Sequence, residues 1–339
     1  MIGFYAVGKP GLKWLEKDQH MEITTNVKQA KDALIKNKLI AIPTETVYGL
    51  AGNAFSETAI KKIFALKKRP EYNPLIVHIK SFAYLNEIAK DIPPDALKLA
   101  EYFWPGPLTL VLKKRDCIPD SVTAGRESVA VRVPNHLLTL DLLAQLDFPL
   151  VAPSANPFGC ISPTSAQHVQ NYFNKEIEVI MDGGLCVRGI ESTIIGFEHN
   201  QPILYRHGAL SIEEIEKVIG PLALQTNSDS RPNAPGMLSR HYAPRTDLHV
   251  TNNVNQTVKI FDGRKIGLLV FKDRLVDNGI IHQEILSTNG DITEAASNLF
   301  SAMHRLDRLN LDVIIAEKFP DNDLGKTIND RLERASKRK

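Results

Sequence analysis

Cysteine is scarce in this sequence: Cys117, Cys160 and Cys186 are the only three in 339 residues, and no two form a C-x-x-C pair. Such spacing supports neither a disulfide framework nor a cysteine-built zinc site, and a reducing, cytoplasmic setting is expected. Long apolar runs are lacking too. None approaches the roughly 18 to 20 residues of a membrane span, and the N-terminal IGFYAVG is too short and poorly flanked for a signal peptide. Charge of one sign is not in excess: 41 Lys and Arg face 39 Asp and Glu, a formal net charge of +2. No global field therefore draws nucleic acid or membrane, and a basic site must be local. Familiar signatures are missing as well. G-x-G-x-x-G, H-E-x-x-H and G-x-S-x-G do not occur, and LGKT at 324–327 has Pro320 where the first glycine of a P-loop belongs, so it reads as a helix start.

What is present is the balance of an ordinary globular chain, 43% hydrophobic, 24% charged and 7% aromatic. At about 150 residues per domain, the length predicts roughly two domains. Apolar positions Val27, Ala30, Ala33 and Leu34 recur at helical spacing, and LIAIPTE then reads as a buried strand entering a loop. Ser56 can cap a helix that Pro70 stops before the strand PLIVHI. Further helices are expected at 95–103, 137–145 and 166–173, and strands at LTLVLKK, SVAVRVP, PLVAPSA, VIMD, STIIGF and ILYR. Ser211 and Glu214 form a capping box ahead of a helix ended by Gly220. Residues 221–247 are polar, proline-punctuated and without period, which reads as a linker or lid. Beyond them KIGLLVF and DVIIAEKF read as strands, with Asp291 and Glu294 placed to cap a helix between. The expected layout is an extension at 1–22, a first α/β domain at 23–220, the linker at 221–247 and a smaller α/β domain at 248–339.

Five segments bring small, hydroxyl, amide and cationic side chains to the ends of expected strands, where α/β folds place ligands. In KKRPEYNP, Lys67, Arg69 and Asn73 offer many donors and few acceptors, which suits an anion, although a basic helix terminus alone is equally served by the helix dipole. Thr44 and Thr46 follow a strand, and Gly49 and Gly52 after them allow a close backbone approach, although a glycine-rich βα turn accounts for the segment equally well. Ser154, Asn156, Ser162 and Thr164 stand among prolines on a stiff loop. Arg132 interrupts an apolar strand and must meet a ligand carboxylate, an internal Asp or Glu, or solvent. Asp182 and Glu191 are nearby acids that could pair or cap locally, so no magnesium ligand is identified.

Together PTET, KKRPEYNP, LIVHI, VAVRVP, PSAN, SPT, ESTI, YRHG and APGMLSRHYAP resemble the YrdC-like family, specifically its two-domain threonylcarbamoyl-AMP synthases. The match runs from about Val27 to Leu210, returns at 234–244 and continues more weakly to the C-terminus. The resemblance implies a twisted mixed sheet with flanking helices followed by a smaller Rossmann-like α/β domain. It also implies synthesis of threonylcarbamoyl-AMP from L-threonine, bicarbonate and ATP, with Mg2+ accompanying the nucleotide, and tRNA threonylcarbamoyl-transfer proteins downstream. By matching motifs, Thr46, His78, Arg132, Ala152 and Ser192 would bind threonine, with Arg132 on its carboxylate. Lys67, Arg69, Asn73, Thr123, Ser154, Asn156, Ser162 and Arg206 would bind ATP, Tyr242 would close over it, and Lys67 and Arg69 would be catalytic. A metallocentre-maturation carbamoyltransferase shares the fold, but the resemblance there implies cysteine-rich zinc segments that three dispersed cysteines do not supply. The alternative of another class is an RNA-binding module using Lys67, Lys68, Arg69 and Arg206 on phosphates.

Overall fold

The computed structural model describes residues 21–174, 176–226, 232–277 and 279–337. The extension expected at 1–22 lies outside them except for its last two residues, and Glu22 already pairs with Val179 in a sheet. That larger sheet has eleven strands: β1 (Glu22–Thr24), β2 (Ile40–Ile42), β3 (Gly49–Asn53), β4 (Ile76–His78), β5 (Leu108–Lys113), β6 (Ser128–Arg132), β7 (Leu150–Val151), β8 (Val179–Met181), β9 (Thr193–Glu198), β10 (Gln201–Arg206) and β11 (Ala223–Leu224). Their order is β1-β8-β2-β3-β7-β4-β6-β5-β9-β10-β11, with parallel and antiparallel neighbours mixed. The smaller sheet holds β12 (Leu248–Thr251), β13 (Ile266–Val270), β14 (Ile280–Ile285) and β15 (Val313–Glu317) in the order β12-β15-β13-β14, all parallel.

Period-two alternation sorts the strand residues between the two faces of the larger sheet. Ala41, Leu50, Val77, Leu110, Val131 and Ile180 pack on one face beneath the helices at 57–67, 94–103 and 166–173. Their neighbours Ile40, Ile42, Ala51, Leu150 and Val179 point the other way, against the helices at 27–35 and 137–144. Among the described residues, no helix covers the rest of that second face. There Ile76, Val111, Ala130 and Ile194 are sealed by Ala234 and Met237 of the linker. The aperiodic, proline-punctuated stretch is thus partly core, because those strands leave apolar side chains that something must cover.

The helix starts follow their caps. Ser56 accepts from the Ala59 amide, the Ser211–Glu214 capping box is complete, and Asp291 accepts from the Thr293 and Glu294 amides. Two expectations change. The glycines at 49 and 52 sit inside β3, antiparallel to β2, and not in a βα turn. A Cβ on Gly52 would come within 3.2 Å of Ile63 and Leu39, and one on Gly49 within 3.0 Å of the Ala152 Cβ, so close packing across the sheet is what needs them. The larger sheet also extends past residue 220, since β11 lies within the stretch expected to be linker.

The smaller sheet is likewise covered on both faces. Ile266, Leu268, Val313 and Ile315 pack with Val254 and Val258. The opposite face, with Leu269, Ile314, Leu299, Phe300, Ile328 and Leu332, gathers Val47, Ile161, Ile190 and Tyr242 from the first part of the chain into one core. The two sheets are therefore joined through apolar burial at the place where the linker crosses.

Candidate active site

A cavity opens where the loops after β2 and β7, the turn before β4 and the loop before β9 meet the linker. The loop after β2 is fixed by its own hydroxyl: Thr44 Oγ1 accepts from the amides of Thr46 and Val47 and bonds the Val47 carbonyl. That turn holds Thr46 Oγ1 3.0 Å from Arg132 Nη1. Arg132 stands beside His78 in the β4–β6 register. Arg132 also donates to the Gly106 carbonyl, and its Nη2 lies 2.7 Å from Glu45 Oε1, both side chains at most 5% exposed. Of the partners open to Arg132 in the sequence, an internal Glu is the one found, because a guanidinium inside an apolar sheet must be neutralised. Burial, and then the Arg132 charge, push the His78 imidazole down to about 3, so it is neutral near pH 7.

Arg69 and Arg206 are held differently. Arg69 donates to the Asn73 carbonyl, Asn73 Oδ1 and the Pro74 carbonyl. Arg206 donates to the Ser192 carbonyl, Ser192 Oγ and the Pro235 carbonyl. Neither has a carboxylate among these partners, and both are buried. Burial, and then the neighbouring Arg206, lower Arg69 to about 9. Two buried guanidiniums close enough to perturb each other make a positive site seeking an anion.

The linker forms the remaining wall with Pro235, Gly236, His241 and Tyr242. Gly236 has φ +88°, and a Cβ there would come within 2.6 Å of Arg206 and 3.0 Å of the Tyr242 hydroxyl, so only glycine allows this approach. The Tyr242 hydroxyl and His241 Nδ1 are buried without a hydrogen-bond partner, as are Asn73 Nδ2 and Asn156 Oδ1. Burial, and then Arg69 and Lys67, hold His241 far below the usual histidine range, so it too is neutral.

Among the expected residues, Thr46, His78, Arg132, Ala152, Ser192, Arg69, Ser154, Arg206 and Tyr242 line this one cavity. Five others lie behind or beside it. Lys67 does not project into the cavity: its Nζ, fully enclosed, donates to the carbonyls of Ser154 and Asn156 and so pins the PSAN loop. Asn73 orients Arg69, and Asn156 Nδ2 binds the carbonyls of Pro157 and Cys160. Ser162 Oγ donates to Glu191 at 2.5 Å. Thr123 is buried in the short helix Asp120–Thr123, bonded to the Asp120 carbonyl. Glu191 pairs with Arg331 at 2.9 Å, and Asp182 accepts from the Gly184 amide. His241, read with Arg240 and Tyr242 as part of the lid, does line the cavity. Sequence reasoning missed Glu45 and Arg331: the first sits inside a quoted motif and could have been found there, whereas Arg331 reads only as one charge in a basic helix.

Comparison with known proteins places the chain in a family. A family model described as telomere recombination matches residues 32–208, and one described as threonylcarbamoyl-AMP synthase, C-terminal domain, matches 210–337. The threonylcarbamoyl-AMP synthase of Pyrococcus abyssi is 44% identical over 313 residues, covering 89% of this chain and 91% of the relative. That of Bacillus subtilis is 37% identical over 328 residues, covering 93% and 95%. The crystal structure of P. abyssi Sua5 complexed with L-threonine superposes with a TM-score of 0.86 at 41% identity, covering 94% of this chain and 96% of that one. Matched along nearly its whole length by full-length relatives, the chain belongs to the threonylcarbamoyl-AMP synthase family.

Proposed function

We propose that the cavity joins L-threonine, bicarbonate and ATP into threonylcarbamoyl-AMP and pyrophosphate, the activated intermediate for threonylcarbamoyl-adenosine in tRNA. The observation that carries the reading is the division of buried charge within one cavity. Arg132 is balanced by Glu45, so its end is suited to a zwitterion that brings one charge of each sign, as threonine does. Arg69 and Arg206 have no such balance and suit a polyanion. Ser192 lies where the two ends meet, its Oγ accepting from Arg206 at 3.0 Å.

Threonine would lie along Thr46, His78, Arg132, Ala152 and Ser192, and the nucleotide along Arg69, Ser154, Arg206 and Tyr242, with Lys67, Asn73, Asn156 and Ser162 holding that wall and Thr123 beyond it. Threonine's amine, once deprotonated, adds to carbon dioxide and releases a proton, or displaces water from bicarbonate, giving a carbamate. A carbamate oxygen then attacks the α-phosphorus, and the bond to the leaving pyrophosphate breaks. No covalent enzyme intermediate is required. The chain's work is positioning, neutralising charge at phosphorus through Arg69 and Arg206, and excluding water, since an exposed carbamate decomposes. Tyr242 and His241 line the cavity from the linker, and the Tyr242 hydroxyl and His241 Nδ1 are buried without a partner, which supports a lid role.

Magnesium would enter as part of the substrate, on the phosphates of ATP. Glu191 and Asp182 are engaged with protein donors, and among the described residues there is no group of three metal-ligating side chains. Proteins that transfer the threonylcarbamoyl group to tRNA would act next, and a cytoplasmic setting is consistent with the described helices, none of which is long and apolar enough to cross a membrane. An RNA-binding role is not favoured: Arg69 and Arg206 are buried beneath the linker, not spread over an open face. Pyrophosphate release from ATP, with threonine and bicarbonate omitted in turn, tests the reading. Release needing both is expected; release that ignores threonine would overturn it.

A further inference from the structure

We infer that Arg331, on the last helix of the C-terminal domain (Leu324–Ser336), is a positioning residue for the lid, acting through the ring of Tyr242. This deepens the synthase reading and rests on it. The side chain is 0% exposed, the largest fully buried side chain of the described residues, yet no motif of the first domain includes it. Its guanidinium carbon stands 4.7 Å from the centroid of the Tyr242 ring. The same ring stacks on Phe300 at 5.6 Å and 30°, and Phe300 belongs to the helix Ile292–Leu306 of the same domain. Two side chains of the C-terminal domain thus hold the ring, while its hydroxyl remains buried without a partner and Tyr242 lines the cavity.

Besides the adjacent Asp330, what fixes Arg331 in turn belongs to the first domain. Its Nε donates to Glu191 Oε2 at 2.9 Å and its Nη2 to the His207 carbonyl at 2.6 Å, while Nη1 reaches the adjacent Asp330. Glu191 also receives the Ser162 hydroxyl and lines the cavity itself. A chain of contacts therefore runs from Ser162 through Glu191 and Arg331 to Tyr242. Tyr242 has φ +62°, a left-handed backbone that a tyrosine adopts only when its surroundings hold it. A flat cation is suited to the task, since guanidinium stacks on an aromatic face while still filling its in-plane donors.

The test compares kinetics in single and double variants. Arg331→Lys keeps the charge but loses the planar fork. Arg331→Met with Glu191→Gln removes the Glu191 pair as a unit, and Asp330, the other carboxylate on Arg331, keeps its pair with Arg334, so that no buried charge is left alone and the fold is preserved. In pyrophosphate-release assays each should raise KM for ATP about tenfold, with threonine affinity measured by calorimetry staying within about twofold. In a Tyr242→Leu background the same changes should have no further effect, because the ring through which they act is gone. A penalty that persists undiminished in the Tyr242→Leu background, or an unchanged KM for ATP in both variants, would overturn the inference. Wild-type protein run alongside separates this from failure of the synthase reading, which would abolish threonine-dependent release before any substitution is made.

Discussion

The two ends of the cavity treat a buried arginine in opposite ways. At the end built by β4 and β6, Arg132 has a carboxylate 2.7 Å away, a hydroxyl and a carbonyl, so its charge is balanced within the protein. At the end built by β10, the KKRPEYNP turn and the linker, Arg206 and Arg69 are held by carbonyls, an amide oxygen and a serine hydroxyl alone. Carbonyls orient a cation without cancelling its charge. The difference separates two jobs: a satisfied ion pair fixes geometry in advance, while an uncancelled one keeps its field for an incoming anion.

The largest effect should come from breaking this contrast with Arg132→Ala and Arg206→Met. Removing Arg132 strands the Glu45 carboxylate in a dry site, and a loss of about 3 to 5 kcal/mol of folding stability is expected. Removing Arg206 takes away a buried charge with no carboxylate in contact, so the cost should be smaller, about 1 to 3 kcal/mol for the Ser192 and Pro235 carbonyls left without a donor. Activity should respond in the other order for ATP, with KM rising about 10- to 100-fold in Arg206→Met from lost charge-assisted hydrogen bonds. Urea unfolding without ligand and initial rates against ATP check both halves. Equal destabilisation by the two substitutions would remove the distinction.

A smaller effect is expected where the C-terminal domain props the ATP end. His304, on the helix that carries Phe300, bonds the Ser162 carbonyl at 3.1 Å and stacks on His168 at 3.9 Å. Burial pushes His304 down to about 4, from an ordinary value of 6.5. The folded protein thus keeps this imidazole neutral while the unfolded chain protonates it, so stability is fully present above pH 6.5 and is lost as pH falls from there towards 4. The linked loss is on the order of 3 kcal/mol. Urea midpoints at pH 7.5 and pH 5 should therefore differ by less in His304→Asn than in the unsubstituted protein; an equal difference would assign the acid sensitivity elsewhere.

How far the sequence carries depends on whether a residue's role is set locally. Ser56, Ser211 and Asp291 announce helix starts because a cap acts within three residues. The apolar runs of β5 and β6 announce buried strands by composition. Gly49 and Gly52 allow a close approach, as their sequence suggests, but that they lie in a strand and not a βα turn, with Ala152, Ile63 and Leu39 as the neighbours, is set by the folded sheet. Ala234 and Met237 seal a sheet face that no helix covers, a requirement invisible in a stretch without period. Lys67, Arg69 and Arg132 stood out as candidates, but whether each faces the cavity, and whether a carboxylate cancels it, is decided by residues distant in sequence. Arg132 finds Glu45 87 positions earlier, which the i, i+3 and i, i+4 logic of a single helix cannot anticipate.

The smallest effect concerns a second ion pair across the same domain boundary. Lys326 Nζ meets Glu213 Oε1 at 2.7 Å, with the side chains 31% and 45% exposed. The contact lowers Glu213 and raises Lys326, each chiefly through their hydrogen bond. Lys326 lies on the same helix as Arg331, one and a half turns earlier, so the two pairs tie one element to the first domain from outside and from within. The outer pair is hydrated and screened, and Glu213→Gln should cost no more than about 0.5 kcal/mol, with KM for ATP unchanged. Raising salt should erase even that difference. A change in KM from Glu213→Gln would mean that the helix as a whole, and not the Arg331 guanidinium on the Tyr242 ring, sets the lid; thermal melts and ATP titrations at low and high salt decide between them.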